Sequence, residues 1–171
     1  IMTAVAMLGF IPIMMPMLCV LVPLLGGIPM MLFMTKVKKF GMITIYSIIV
    51  GLFLWVTGMG YWPFIFGIVF GFIADLIAKS GNYKSSKKTI ASYAVFSLII
   101  FGNFVPLLIN AEEYFLTRQS FGEAYITSLT EIMGNTWLAP LLAVSCLVCG
   151  IIGGFIGKAI LKKHFVKAGI A

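Results

Sequence analysis

Long apolar runs separated by short polar interruptions make up the whole chain. Residues 12–34, 42–57, 63–78, 89–109 and 134–157 are apolar almost throughout. A hydrocarbon core of about 30 Å is crossed by about 20 helical residues. Barrel strands show a two-residue alternation of apolar and polar positions, which residues 43–54 and 139–152 lack. The pattern therefore predicts transmembrane helices. Residues 1–8 read as the tail of a further helix whose beginning precedes Ile1, followed by a turn at 9–12. A cleavable signal peptide is not expected, since the first residues from Ile1 include no charged region. The expectation is an all-α integral membrane protein, one transmembrane domain over residues 1–171, forming a six-helix bundle whose first helix is truncated.

The interruptions orient that bundle. Residues 35–41 and 79–88 and the tail 158–171 hold all eleven lysines. The alternate connections at 9–12, 58–62 and 110–131 hold the single arginine, Arg118, and four glutamates. Cytoplasmic loops concentrate Lys and Arg, so the lysine loops and both termini are expected in the cytoplasm. Residues 110–131, punctuated by Tyr114, Phe115, Phe121 and Tyr125, then form an external cap with a short interfacial helix. Pro16 and Pro23 fall inside the first complete span, which membrane helices tolerate when neighbours satisfy the freed carbonyls.

Composition agrees: 61% of the residues are hydrophobic and 10% charged, with a mean hydropathy of +1.12. Five acids and twelve bases cannot coat a soluble domain of 171 residues. The net charge of +7 raises nucleic acid as a partner. However, the lysines lie in short loops and no basic stripe is interleaved with exposed aromatics, so nucleic acid is excluded. Cys19, Cys146 and Cys149 all sit in apolar runs, and Cys146-x-x-Cys149 has no second pair beside it, which points to helix packing instead of zinc or redox chemistry. Met14, Met15, Met17, Met30, Met31 and Met34 surround one helix without sharing a face and read as flexible apolar filler. Neither a metal site nor a cofactor is expected.

Chemistry can sit in few places. Asp75 is the only acid within an apolar run, and Gly67, Gly71 and Asp75 share a helical face at four-residue steps. An intramembrane acid is a functional candidate; the alternatives are a structural partner for Lys79 or Lys36 and a contact for another subunit. Gly150 with Gly154, and Gly153 with Gly157, give two small-xxx-small registers for close helix approach, within the bundle or with a partner. Glu112-Glu113 followed by Arg118 is similar to the Glu-Glu-x-x-x-Arg motif of intramembrane prenyl-protein proteases. Here four residues intervene and the one histidine, His164, is in the tail. No nucleophile–base pair or phosphate loop occurs elsewhere, so an enzyme is not expected. The remaining candidates face outward: Tyr61, Trp62, Asn103, Asn110, Glu112, Glu113, Tyr114, Asn135 and Trp137. They fit either a pocket with apolar and aromatic walls or, for Trp62 and Trp137, an interfacial aromatic belt. Asn103 does not fit a belt.

The stretch Gly71-Phe-Ile-Ala-Asp75-Leu-Ile-Ala-Lys-Ser-Gly81-Asn-Tyr83-Lys-Ser, with Ser92-Tyr93, Phe96-Ser97, Gly102 and Pro106, resembles the substrate-binding S components of energy-coupling factor (ECF) transporters. The nearest likeness is to the MptD, or Trep_Strep, group, whose terminal signature is similar to Lys162-Lys-His164-Phe-Val-Lys167-Ala-Gly169. The resemblance implies a bacterial cell-membrane protein that captures a micronutrient in an outward-facing pocket. It then topples onto a T subunit served by two cytoplasmic ATPases. Cargo of this class ranges over vitamins, metal-linked compounds and tetrapyrroles. Aromatic and Met-rich walls suit haem, though without a histidine ligand, and the external glutamates suit a cation equally. The Ala-x-x-x-Ala coupling surface of many S components is not matched by Ala4 and Ala6. The competing readings are an ATPase-independent small-solute carrier or channel subunit, and an assembly protein without cargo.

Overall fold

The computed structural model of the chain describes residue 11 and residues 13–36, 38–116, 122–135 and 137–165, with the side chains of residues 112, 113, 116, 164 and 165 left aside. The helix expected over residues 1–8, Arg118 and Lys167 fall outside the described residues. Within them the chain forms helices and turns and no strand. In order these are α1 (Met14–Lys36), α2 (Met42–Leu54), α3 (Trp62–Ser80), α4 (Ser86–Phe96), α5 (Leu98–Phe101), α6 (Val105–Ile109), α7 (Ala111–Leu116), α8 (Glu123–Met133) and α9 (Leu138–Ile160).

Among the described residues four helices are long and apolar enough to cross a membrane: α1, α2 with its continuation to Met59, α3, and α9 with its continuation to Lys163. α1 and α9 have 23 residues each, about 35 Å at 1.5 Å per residue. The continuation of α2, Trp55–Met59, is a wide π-helical turn that Gly58 ends at φ 88°. Gly60 follows at φ 89°. Both angles lie in the region open chiefly to glycine, and they reverse the chain into α3.

The run from Ser86 to Ile109 departs from the single span expected over residues 89–109. It is three helices, α4 to α6, joined at Ser97 and at the turn 102–104. The causes are local. Ser97 turns its hydroxyl onto the Ala94 carbonyl at 2.6 Å. Farther on, Pro106 lacks an amide hydrogen, so the helical ladder restarts at Val105.

This interrupted run is nevertheless the axis of the bundle. It carries hydroxyls that reach three neighbours: Ser92 Oγ donates to Ala74 O of α3 at 2.7 Å. Tyr93 Oη donates to Pro23 O of α1 at 2.6 Å, and Ser97 Oγ lies 2.8 Å from Cys146 O of α9. Interhelical hydrogen bonds in lipid contribute about 0.6 kcal/mol each, so their main effect here is to fix rotation and depth.

Small residues supply the close packing. A Cβ on Gly27 of α1 would fall on the Gly153 carbonyl, one on Gly153 on Pro23 O, and one on Gly157 on Gly27 O. The two backbones therefore touch. On the adjoining face of α9, a Cβ on Gly150 would sit 2.9 Å from Ala94 Cα, and one on Gly154 would sit 3.0 Å from Ile90 Cγ2 of α4. Both registers seen in the sequence thus face helices of the same chain. α3 meets α2 in the same manner, with a Cβ on Gly67 only 2.7 Å from Ser47 O.

Two apolar layers result. One lies at the lysine-bearing end and holds Met30, Met31, Met34, Ile43, Ile90, Tyr93 and Phe96. The other lies at the opposite end, where Tyr114, Phe115, Leu129 and Met133 of the cap pack on Cys19, Phe104, Leu107, Leu142 and Cys146. Gly153→Leu is expected to destabilise the bundle by at least about 3 kcal/mol, because the overpacked atoms meet backbone that cannot yield. Tyr93→Phe should cost about 0.6 kcal/mol. Unfolding titrations in mixed detergent–SDS micelles measure both.

Candidate functional site

Asp75 is fully buried in α3, one turn before its lysine-bearing end. Its Oδ2 accepts the Gly41 N–H at 2.7 Å, the Thr44 N–H at 3.3 Å and the Thr44 hydroxyl at 3.1 Å. Its Oδ1 accepts the Tyr83 hydroxyl at 3.0 Å. The amides of Gly41 and Thr44 belong to the first turn of α2, whose N-cap position is glycine without a capping side chain. Asp75 therefore caps α2 from a neighbouring helix, meeting both the orphan N–H groups and the positive end of the helix dipole.

The partners expected for Asp75 were Lys79 and Lys36, and the carboxylate instead binds amides and hydroxyls. The Lys79 ammonium lies 4.6 Å from the centroid of the Phe40 ring. Tyr83 reaches Asp75 because Asn82 and Tyr83 both take positive φ, 49° and 55°. Burial, then the hydrogen bond to Asp75 and its charge, push the Tyr83 phenol up to about 12, so it remains a donor at physiological pH. Thr44 and Tyr83 are absent from the sequence-derived site. The available signal was a helix starting at Met42 with only Gly41 at a position that favours Ser, Thr, Asp or Asn.

At the opposite end the outward-facing candidates divide into separate groups. Tyr61, 53% exposed, stacks on Trp62 with centroids 5.5 Å apart. Trp62 leads through Phe66 (6.4 Å) to Phe101 (5.9 Å from Phe66), next to the turn that carries Asn103. Asn103 Nδ2 donates to Ile100 O at 3.2 Å. Its Oδ1 is buried and meets no donor among the described residues.

Tyr114 is buried under the cap, edge-on to Phe115 with centroids 5.2 Å apart. Tyr125 of α8 fastens the cap to the start of α1 through a 3.1 Å contact from its hydroxyl to Met15 Sδ. Asn135 Oδ1 accepts the Trp137 N–H at 3.2 Å, an Asx-turn that opens α9. Trp137 itself is 81% exposed, a placement suited to a membrane interface. Glu112 and Glu113 lie on α7, their side chains outside the described set.

Neither of two grooves formed by the described residues is lined by Tyr61, Trp62, Asn103, Tyr114, Asn135 or Trp137. An apolar groove of about 290 Å³ runs between α1 and α2, lined by Phe33, Met42, Ile45, Tyr46 and Ile49. A basic groove of about 310 Å³ lies where α1, α4 and α9 meet at the lysine-bearing end. Among the described residues no cluster of three or more His, Cys, Asp or Glu could hold a metal.

Asp75→Ala leaves buried donors of Gly41, Thr44 and Tyr83 without their acceptor. It is expected to lower stability by about 3 kcal/mol or more, whereas Tyr83→Phe, which removes one donor to a charged group, should cost about 1.5 kcal/mol. Detergent–SDS unfolding and the fraction of monodisperse protein after extraction check both values.

No curated protein and no solved structure matches the chain. A family model does, over residues 1–167, and its description is a hypothetical bacterial integral membrane protein. That match spans the four long apolar helices, the interrupted run α4 to α6 and the cap, and on it the chain belongs to the Trep_Strep family of bacterial integral membrane proteins.

Proposed function

We propose that the chain is the substrate-binding S component of an ECF-type importer. It captures a micronutrient outside the cell and delivers it by toppling onto a T subunit driven by two partner ATPases. The observation that carries a binding role is Asn103: a buried amide oxygen without a donor among the described residues, at a break in a membrane-embedded helix. An unsatisfied buried acceptor costs about 1–3 kcal/mol. Interrupted helices in carriers commonly expose such groups to cargo. A cargo N–H or O–H fits this oxygen.

The S-component class draws on the likeness of residues 71–106 to that group. It draws also on the sides of the bundle, where the exposed residues of α2, α3 and α9 are apolar, among them Ile49, Phe53, Val69, Phe72, Val148 and Phe155. A body with charge only at its ends can turn in lipid without dragging ions through it. In this reading the bundle has six helices. The lysine-bearing end and both termini are cytoplasmic, the bilayer is the plasma membrane, and residues 110–131 form the lid. The space beneath the lid is filled by Tyr114, Phe115, Leu129 and Met133, so cargo enters by lifting α7 and α8. A carrier working without ATPases is the alternative.

Three outcomes are expected. Affinity purification from the native membrane recovers a T subunit and an ATPase pair; their absence under crosslinking favours the stand-alone carrier. Mass spectrometry of the gently extracted protein finds a small organic molecule. Asn103→Ala lowers retention of that molecule about tenfold, the equivalent of one lost hydrogen bond of about 1.4 kcal/mol, without loss of fold.

A further inference from the structure

The basic groove has a composition that the importer reading does not use. Lys84, Lys158 and Lys162 line it, together with Ser86 at the start of α4 and Met31 and Met34 of α1. No hydrogen bond within the described residues engages these three ammonium groups or the Ser86 hydroxyl. The acidic side chains of the chain supply them no counter-charge either. Four of its five acids fall in residues 112–131, at the other end of the bundle. The fifth, Asp75, is enclosed by four donors from Gly41, Thr44 and Tyr83.

A comparison of helix ends sharpens the point. α1, α3 and α9 finish at this face with Lys36, Lys79 and Lys158 in their last turns, each favourably placed on the negative end of a dipole. α2 starts at this face and has the Asp75 anion on its first amides. α4 also starts here, but Ser85 makes no capping bond, and its first turn opens into the lysine-lined groove. The positive charge of three side chains therefore adds to that of a helix start with no anion from the protein to meet them.

We propose that this groove seats the phosphate of an anionic phospholipid from the leaflet next to the lysine loops, with its acyl chains passing over Met31, Met34 and Leu161. A lipid fits better than free phosphate because the polar wall adjoins an apolar floor at the ends of membrane-spanning helices. Basic pockets between transmembrane helices bind lipid headgroups in this manner. The assignment is independent of any cargo or ATPase partner.

The test is native mass spectrometry of the full chain released from micelles that contain phosphatidylglycerol and phosphatidylcholine of matched chains in equal amounts. Preferential retention of one phosphatidylglycerol is expected. The K84Q/K158Q/K162Q variant should lower its apparent affinity by about 100-fold, at roughly fivefold for each lysine removed near a membrane surface. The K36Q/K38Q/K39Q variant loses the same charge from the same end outside the groove and should keep most of the affinity. Gln removes the charge and keeps a polar side chain, and an unchanged elution volume confirms the fold. Equal retention of both lipids overturns the proposal. So does an equal loss in both variants, which would mean diffuse surface charge, or displacement of phosphatidylglycerol by equimolar inorganic phosphate, which would mean a site for a soluble anion.

Discussion

A charge placed where water cannot reach it must be answered by the protein, and Asp75 is the point at which this bundle meets that demand. Its carboxylate binds the first turn of α2, a hydroxyl of that turn and the loop after α3 at once. Moving an isolated carboxylate into a low-dielectric interior costs far more than any single contact returns. The surroundings therefore have one arrangement in which all donors converge, and the hairpin α2–α3 is held to it. The nearby glycine face then allows α3 to lie against Ser47, which brings Asp75 within reach of α2. Packing and polar satisfaction depend on each other here: a bulkier α3 would withdraw the carboxylate from the amides that justify its burial.

The same logic runs through the interrupted run α4 to α6. With no hydrophobic drive between helices in lipid, position must come from shape and from hydrogen bonds. Ser92, Tyr93 and Ser97 give one hydroxyl to each of α3, α1 and α9. The middle of the bundle is thus cross-tied, and Tyr46, Phe96 and Tyr93 stack across its lysine-bearing half at 5.7 and 6.5 Å. The opposite half is held by apolar contact beneath the cap and by the Tyr125–Met15 contact.

Much of this was legible in the residues and part was not. The long apolar helices could be read because apolar runs such as 12–34 and 134–157 admit no other burial than lipid or a bundle. The glycine registers of α9 could be read as surfaces of close approach, but their targets could not: Gly153 and Gly150 point to different helices, and only the fold says which. Asp75 could be singled out as an intramembrane acid, yet its partners are backbone amides, which every residue carries and no sequence pattern marks. The break at 102–104 was hidden because Gly102 and Pro106 are both tolerated in unbroken membrane spans. The external candidates were grouped by topology alone. The structure separates a buried Tyr114 from an exposed Trp137, because side-chain direction depends on helix rotation, which hydropathy does not encode.

The contact of α1 with α9 joins residues near the two ends of the chain, Gly27 with Gly153 and Gly157. A ribosome adding about 5–20 residues per second finishes α9 on the order of ten seconds after α1 has left it. Throughout that interval α1 presents a bare glycine groove, interrupted by Pro23 and Pro29, to a membrane crowded with other newly made helices. Biogenesis of this protein thus has a late closing step. Until it occurs the nascent bundle is open along one seam.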